Sequence, residues 1–258
     1  MRIVIKVGTS TLAHEGGRLN IRRIETLCKV ISDLKNAGNE IILVSSGAIG
    51  MGVGKLSLKN RPTDMPTKQA AAAVGQCELM YTYDKLFTEH NHTVAQLLVT
   101  GADLSHDDRR NNFRNTLFRL LELGALPIVN ENDTVATEEI VIGDNDTLGA
   151  IVATHTQADL LILLSDIDGL YTADPHTDPT ATLHTEVTEI TTEIEAMVGG
   201  AGSKLGTGGM ATKVSAAKIA TEAGVTMVIV NGKDPSVLYD IVEGKPVGTR
   251  FLAKEGTR

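Results

Sequence analysis

Two lysines that lie beside glycines at opposite ends of the chain could hold a phosphate group. Lys6 lies near the end of the apolar run "RIVIKV", and Lys213 ends the segment "GSKLGTGGMATK" at 202–213. A buried ammonium is costly unless it meets an anion, and a glycine loop that opens a helix offers unpaired N–H groups to one. Taken singly, each stretch also fits a simpler structure: an edge-strand lysine that reaches solvent, or a plain surface turn.

Neither of the two glycine stretches completes a known nucleotide fingerprint. Residues 206–211 have the dinucleotide spacing, but no strand precedes them and Asn231 stands where an acidic residue is required. The stretch "IGMGVGKL" resembles a Walker A loop, but it has Ile49 in place of the first glycine and Leu56 in place of the magnesium-binding hydroxyl. The remaining prediction is phosphate binding by backbone N–H groups together with Lys213.

A polar segment at 130–146, "NENDTVATEEIVIGDND", is the third candidate. It contains three aspartates and three asparagines, namely Asp133, Asp144, Asp146, Asn130, Asn132 and Asn145. Asx-rich turns are also common without any function. The spacing excludes an EF-hand, and the seven histidines show no metal-ligand spacing, so no protein-held metal is predicted.

Alternating strand and helix patterns must position these residues. Strands are predicted at 2–7, 40–44, 94–99, 125–130, 159–164 and 226–232, and helices at about 21–37, 67–89, 107–123, 147–158 and 211–224, with a short final helix. "SSGAIGMG" reads as a glycine turn, and 134–146 as a short hairpin. This alternation predicts an α/β protein with a mostly parallel sheet, whose carboxyl edge collects the polar clusters.

The amino-acid composition excludes several classes of binding partner. The 32 acidic and 24 basic side chains give a formal charge of −8, which argues against nucleic acid and anionic membranes. The two cysteines lack metal-ligand spacing, and no apolar run approaches a membrane span. We therefore expect a cytoplasmic protein.

Seven motifs taken together resemble the amino acid kinase family over residues 1 to about 252: "IKVGTST", "VSSGAIGMG", "KQAAAAVGQ", "NENDTVA", "GDNDTLGA", "DIDGLYTADP" and "GTGGMATK". "KVGTST" is most similar to the bacterial members that phosphorylate the side-chain carboxylate of L-glutamate, the first step towards proline. The resemblance implies a three-layer αβα sandwich around a mainly parallel sheet of about eight strands. It also implies Mg-ATP as cofactor, with magnesium carried mainly by the nucleotide.

By this resemblance, Lys6 and Lys213 neutralise the transferring phosphoryl group and Asp146 holds both ammonium groups. Gly8 and Gly47 allow backbone N–H groups to approach the phosphates. The implied substrate-binding residues are Ser46, Gly47, Asn130, Asp133 and Asn145. The implied nucleotide-binding residues are Lys6, Gly8, Ser165, Asp166, Thr207, Gly208, Gly209, Met210, Ala211, Thr212 and Lys213.

The resemblance also implies an organisation and partners. We expect one domain over 1–258, with a glutamate-binding half up to about residue 150, a nucleotide-binding half after it, and no C-terminal PUA domain. A homodimer or homotetramer is expected, and proline as a feedback inhibitor would act through the loop at 100–116. The alternatives are a kinase of the same fold with another acceptor, a non-catalytic sensor of amino acids or nucleotides, and an NAD-dependent enzyme. "KVGTST" and Asp133 argue against a kinase with another acceptor. The presence of Lys6 and Lys213 argues against a non-catalytic sensor.

Overall fold

The structure, a computed structural model, describes residues 1–14, 18–135, 144–175, 177–198, 209–254 and 256. The strands are β1 (Arg2–Val7), β2 (Glu40–Ser45), β3 (Val94–Val99), β4 (Leu126–Glu131), β5 (Leu160–Ser165), β6 (Glu186–Val187), β7 (Thr226–Asn231) and β8 (Thr249–Phe251). The helices are α1 (Thr9–Leu12), α2 (Ile21–Asn36), α3 (Ala48–Lys55), α4 (Met65–Thr88), α5 (Gly101–Ser105), α6 (Asp107–Glu122), α7 (Asn145–His155), α8 (Thr192–Val198), α9 (Met210–Glu222) and α10 (Val237–Val242).

All eight strands form one sheet in the order β3-β4-β2-β1-β5-β7-β8-β6. Only β7 and β8 pair antiparallel, and every other neighbouring pair is parallel. The six parallel strands, β1 to β5 and β7, are joined in chain order by crossover connections that contain helices, as parallel pairing requires. The predicted mainly parallel sheet of about eight strands is confirmed.

Two apolar cores cover the two faces of the sheet. In β1, Val4 belongs to one core while Ile3 and Ile5 belong to the other, because successive side chains of a strand point to opposite faces. Helices α6, α7 and α9 pack on the first face, and α2, α4 and α10 on the second. The chain is therefore the three-layer αβα sandwich that the sequence predicts.

The central strand β1 carries Lys6 towards the carboxyl edge of the sheet. Lys6 lies in register with Val44 of β2 and Leu163 of β5. It shares a face with Val4, so its side chain points to the α7 and α9 side. The ends of β1, β2, β4 and β5 thus converge at one edge, where ligands of open parallel sheets bind.

The predicted glycine turn at 45–52 is wrong, because α3 begins there. The helix is tolerated because its glycines permit very close packing on α4. A Cβ added to Gly52 would lie 1.8 Å from the carbonyl oxygen of Ala71, and one added to Gly75 would lie 1.7 Å from that of Ala48. Composition suggested a turn, but tertiary contact decides the conformation.

Shorter elements were also missed. The prediction omits α1, α5, α8, β6 and β8, each of which is too short to give a clear periodic pattern. Most of the predicted hairpin, residues 136–143, lies outside the described residues. Within the part that the structure describes, no helix is long and apolar enough to cross a bilayer.

Candidate active site

Lys6 and Lys213 meet on a single carboxylate at the carboxyl edge of the sheet. The Nζ of Lys6 lies 2.5 Å from Oδ1 of Asp146, and the Nζ of Lys213 lies 3.1 Å from Oδ2. Asp146 is 1% exposed, and the two lysines are 7% and 2% exposed. The two lysines, which are 207 positions apart in the sequence, are therefore joined through one buried side chain.

Local structure fixes where Asp146 lies. It is in the first turn of α7, and Asp144 caps that helix by accepting from the N–H of Thr147 at 2.8 Å. One turn further, α7 lies against β1 at Gly149, where an added Cβ would be 3.4 Å from the Cβ of Lys6. The first turn of α7 is thereby held over the end of β1.

The electrostatics of this cluster favour an additional anion. Burial alone would raise the pKa of Asp146, but the ammonium groups of Lys6 and Lys213 outweigh it and hold that pKa below its usual value. Asp146 is therefore ionised at neutral pH, and the three side chains together carry one net positive charge. A positive charge at a buried sheet edge is suited to phosphoryl oxygens.

A cluster of amides lies beside the charged residues. The Nδ2 of Asn145, the residue before Asp146, donates to the carbonyl oxygen of Ser45 at 3.0 Å and to Oγ of Ser46 at 2.9 Å. It also donates to Oδ1 of Asn130 at 2.9 Å. Consecutive residues of α7 therefore serve two purposes: Asp146 binds the lysines and Asn145 binds the ends of β2 and β4.

Asp133 is a half-buried carboxylate just beyond β4. Burial raises its pKa to about 6, and the charge of buried Glu131 adds to this shift. A carboxylate whose negative charge is destabilised in this way gains from a cation placed next to it.

Gly47 starts α3 in the left-handed conformation, with a φ of 101°. No described side chain caps the first N–H groups of α3, so they are open to an anion. The N–H of Gly8, by contrast, donates to the carbonyl oxygen of Leu164 at 3.2 Å. Gly8 lies directly beside the ammonium group of Lys6, since a Cβ added to Gly8 would be 3.7 Å from the Nζ of Lys6, at ordinary van der Waals distance.

The nucleotide-side residues are only partly described. Ser165 ends β5 and donates to the exposed Asp166 at 3.1 Å. Gly209 precedes α9 without a side-chain cap, and Met210, Ala211 and Thr212 form the first turn of that helix before Lys213. The Thr212 hydroxyl lies 2.7 Å from the carbonyl oxygen of Gly209 and 3.3 Å from Oδ2 of Asp146, and both of these oxygens are acceptors. Thr207 and Gly208 lie outside the described residues.

The sequence reasoning missed two buried polar residues on α4. Gln76 accepts from Nδ2 of Asn130 at 2.9 Å, and the Tyr83 hydroxyl lies 2.9 Å from Oγ of Ser45. They are seven positions apart and so lie on the same face of the helix. A polar residue on the otherwise apolar face of an alanine-rich helix was the signal that could have found them.

The sequence matches a known protein family and curated relatives. The model of the amino acid kinase family matches residues 1–231. A glutamate 5-kinase of Clostridium perfringens is 55% identical over 99% of this chain and 96% of its own length. One of Listeria innocua is 55% identical over 98% of this chain and 94% of its own.

Solved structures match in fold. The isopentenyl phosphate kinase of T. acidophilum gives a TM-score of 0.68 at 18% identity, covering 97% of this chain and all of that one. The UMP kinase of Bacillus anthracis gives 0.65 at 16% identity, covering 98% and 96%. The chain therefore belongs to the amino acid kinase family, and its near-full-length relatives place it among the glutamate 5-kinases.

Proposed function

We propose that this protein transfers the γ-phosphoryl group of ATP to the side-chain carboxylate of L-glutamate, giving L-glutamyl 5-phosphate. The observation that supports this most strongly is the buried cluster of Lys6, Asp146 and Lys213. Phosphoryl transfer requires mainly alignment of two anions and neutralisation of charge on the moving group. Two ammonium groups held by one carboxylate supply that neutralisation.

The acceptor explains why no base is needed. A glutamate side chain has a pKa of about 4.3 and is already ionised at neutral pH. The two lysines cancel repulsion between this carboxylate and the γ-phosphoryl group, and they stabilise the charge that develops on the equatorial oxygens. Asp146 keeps the ammonium groups in place throughout the transfer.

The free amine of glutamate would lie near Asp133 and Asn145. The raised pKa of Asp133 marks a carboxylate that gains from a neighbouring ammonium. An acetylated amine carries no charge and would leave Asp133 without a partner. Asn130 and Ser46 hold the Asn145 amide in place, and Gly47 with the first N–H groups of α3 supplies donors for the carboxylates.

ATP would bind on the side of β5 and α9. The start of α9, with Gly209, Met210, Ala211 and Thr212, offers N–H groups to the phosphates next to Lys213. Ser165 and Asp166 end the neighbouring strand and would line the nucleotide. We assign Thr207 and Gly208 to the same site by their sequence. Magnesium belongs to the nucleotide substrate, bound by phosphate oxygens and water.

Several further properties complete the proposal. We place glutamate binding in the half up to about residue 150 and nucleotide binding in the remainder. A homodimer or homotetramer in the cytoplasm, with proline as a possible inhibitor acting through 100–116, is the setting we expect. Size-exclusion chromatography with light scattering, and a proline titration of the activity, check the oligomer and the inhibition.

An acyl-phosphate trap tests the reaction itself. Purified protein is incubated with Mg-ATP, hydroxylamine and either L-glutamate or N-acetyl-L-glutamate, and the hydroxamate is measured by its colour with ferric ion. We expect product with L-glutamate alone. If product forms only with the acetylated substrate, the protein is an N-acetylglutamate kinase instead. If folded protein forms no product with either substrate, the proposal is refuted.

A further inference from the structure

We propose that Gln76 is a positioning residue that fixes the orientation of the Asn145 amide through Asn130. This inference rests on the proposed function, because it concerns how the glutamate site is held ready. Gln76 lies on α4, behind the residues assigned to substrate, and it is 8% exposed. It therefore acts without contacting the substrate.

The Asn130 amide is oriented by a neighbouring group that can only donate a hydrogen bond. The main-chain N–H of Glu131 donates to Oδ1 of Asn130 at 2.9 Å. Because a main-chain N–H cannot accept, this contact requires the oxygen of Asn130 on that side and turns Nδ2 towards α4. There Gln76 presents Oε1, which accepts from Nδ2 of Asn130 at 2.9 Å.

The oriented Asn130 amide in turn orients the amide of Asn145. Its Nδ2 faces Oδ1 of Asn130 and the carbonyl oxygen of Ser45, both of which are acceptors, so the nitrogen must lie on that side. Oδ1 of Asn145 consequently points away from the cluster, and no group in the described part of the chain donates to it. An acceptor of this kind suits the ammonium of the substrate.

Gln76 has no comparable purpose as a core residue. Its Nε2 is buried and has no partner among the described residues. An apolar side chain of the same length would fill the position without leaving a donor unpaired. Among the described residues, the one hydrogen bond that the Gln76 side chain makes is to Asn130. That hydrogen bond is the reason we give for a polar residue there.

The backbone of α4 holds Gln76 in place. The neighbouring Gly75 lets α4 touch α3, and Tyr83, two turns further along the same face, contacts Ser45. Without the Gln76 acceptor, Nδ2 of Asn130 becomes a buried donor with no partner, and only the contacts with Glu131 and Asn145 still favour the present orientation of the Asn130 amide. The Asn130 amide then turns over more readily, and a turned amide withdraws the acceptor that helps to hold Nδ2 of Asn145.

Kinetics of Gln76→Met test this. We expect KM for L-glutamate to rise about tenfold, the effect of one misplaced hydrogen bond, with KM for ATP and kcat within about threefold of wild type. Gln76→Glu keeps an acceptor for Asn130 and should recover most of the lost affinity. Gln96→Met, at an exposed glutamine on β3, is the matched control and should leave both KM values unchanged.

A double-mutant cycle separates positioning from general packing. In an Asn145→Ala background, Gln76→Met should change KM for L-glutamate less than twofold further, because the amide on which it acts is gone. An undiminished effect there, equal increases in both KM values, or a lowered Tm with unchanged KM would overturn the inference. If the Met variant does not fold, Gln76→Asn, which withdraws the acceptor by one methylene, takes its place.

The wild type distinguishes the two proposals. A wild-type protein that makes no hydroxamate from L-glutamate would refute the proposed function and this inference together. An active wild type with an unaffected Gln76→Met would refute the inference alone.

Discussion

Replacement of Asp146 by asparagine should destabilise the protein far more than loss of one hydrogen bond. The side chain keeps its size, but Lys6 and Lys213 lose the carboxylate that lies 2.5 and 3.1 Å from their Nζ atoms. At an effective dielectric constant of 20, these distances correspond to attractions of about 7 and 5 kcal/mol before desolvation is subtracted. Removing one partner of a buried pair costs about 3–5 kcal/mol in practice.

A loss of this size is measurable by thermal unfolding. For a chain of this length each kcal/mol lowers Tm by about 2–4 °C, so about 4 kcal/mol corresponds to about 8–16 °C. Asp240→Asn, which breaks the exposed ion pair with Lys245, is the matched control and should cost less than about 1 kcal/mol. Both variants and the wild type are unfolded by heat at pH 7 and again at pH 3.

The dependence on pH identifies the cause. In the wild type the folded-state pKa of the Asp146 carboxyl is lowered, so this group contributes stability that is present above about pH 4 and is lost as the pH falls through the folded-state pKa. The amide of Asp146→Asn does not titrate, so the deficit of the variant relative to wild type should be smaller at pH 3 than at pH 7. A deficit below about 1 kcal/mol at pH 7, or one that is the same at both pH values, would refute this reasoning.

Three further predictions concern the reaction and the packing of the site. Because burial raises the pKa of Asp133 to about 6, kcat/KM for L-glutamate should fall about tenfold per pH unit below pH 6, and Asp133→Asn should abolish this decrease in acid. If the variant shows the same decrease, a group other than Asp133 causes it. Lys213→Ala should lower kcat by several orders of magnitude with little change in KM, whereas Lys218→Ala, at an exposed lysine on the same helix, should keep full activity; equal activities would remove Lys213 from the mechanism. Gly75→Ala should lower Tm by several degrees, because its Cβ would lie 1.7 Å from the carbonyl oxygen of Ala48; an unchanged Tm in a scanning calorimeter would show that α3 and α4 separate freely.

The sequence predicts that Lys6 and Lys213 lie at the same edge of the sheet, because that prediction needs only coarse structure. Lys6 lies near the end of a buried strand and Lys213 in the first turn of a helix that follows a glycine loop. In a parallel sheet, both positions fall at the carboxyl edge. The arrival of the two lysines at one edge therefore follows from the strand and helix pattern, whereas their contact with Asp146 was implied only by the family resemblance.

What the sequence fails to predict depends on contacts between distant segments. The helix α3 contains glycines that suggest a turn, and it is stabilised by backbone contact with Gly75 across the helix pair. Gln76 lies in a run of helix-forming residues, and its partner Asn130 is 54 positions away. Neither contact has a local signature, because composition and periodicity report only on neighbours along the chain.

The central position of β1 has a consequence for synthesis of the protein. This first strand pairs with β2 on one side, but its other neighbour, β5, begins only at Leu160. At about 5–20 residues per second, the ribosome needs about 6–23 s to make the chain between these two partners. During that time one side of the innermost strand is an open edge that other chains could extend. Productive folding of a newly made chain therefore depends on covering this edge, and slower translation between 46 and 160 should increase aggregation of the nascent protein.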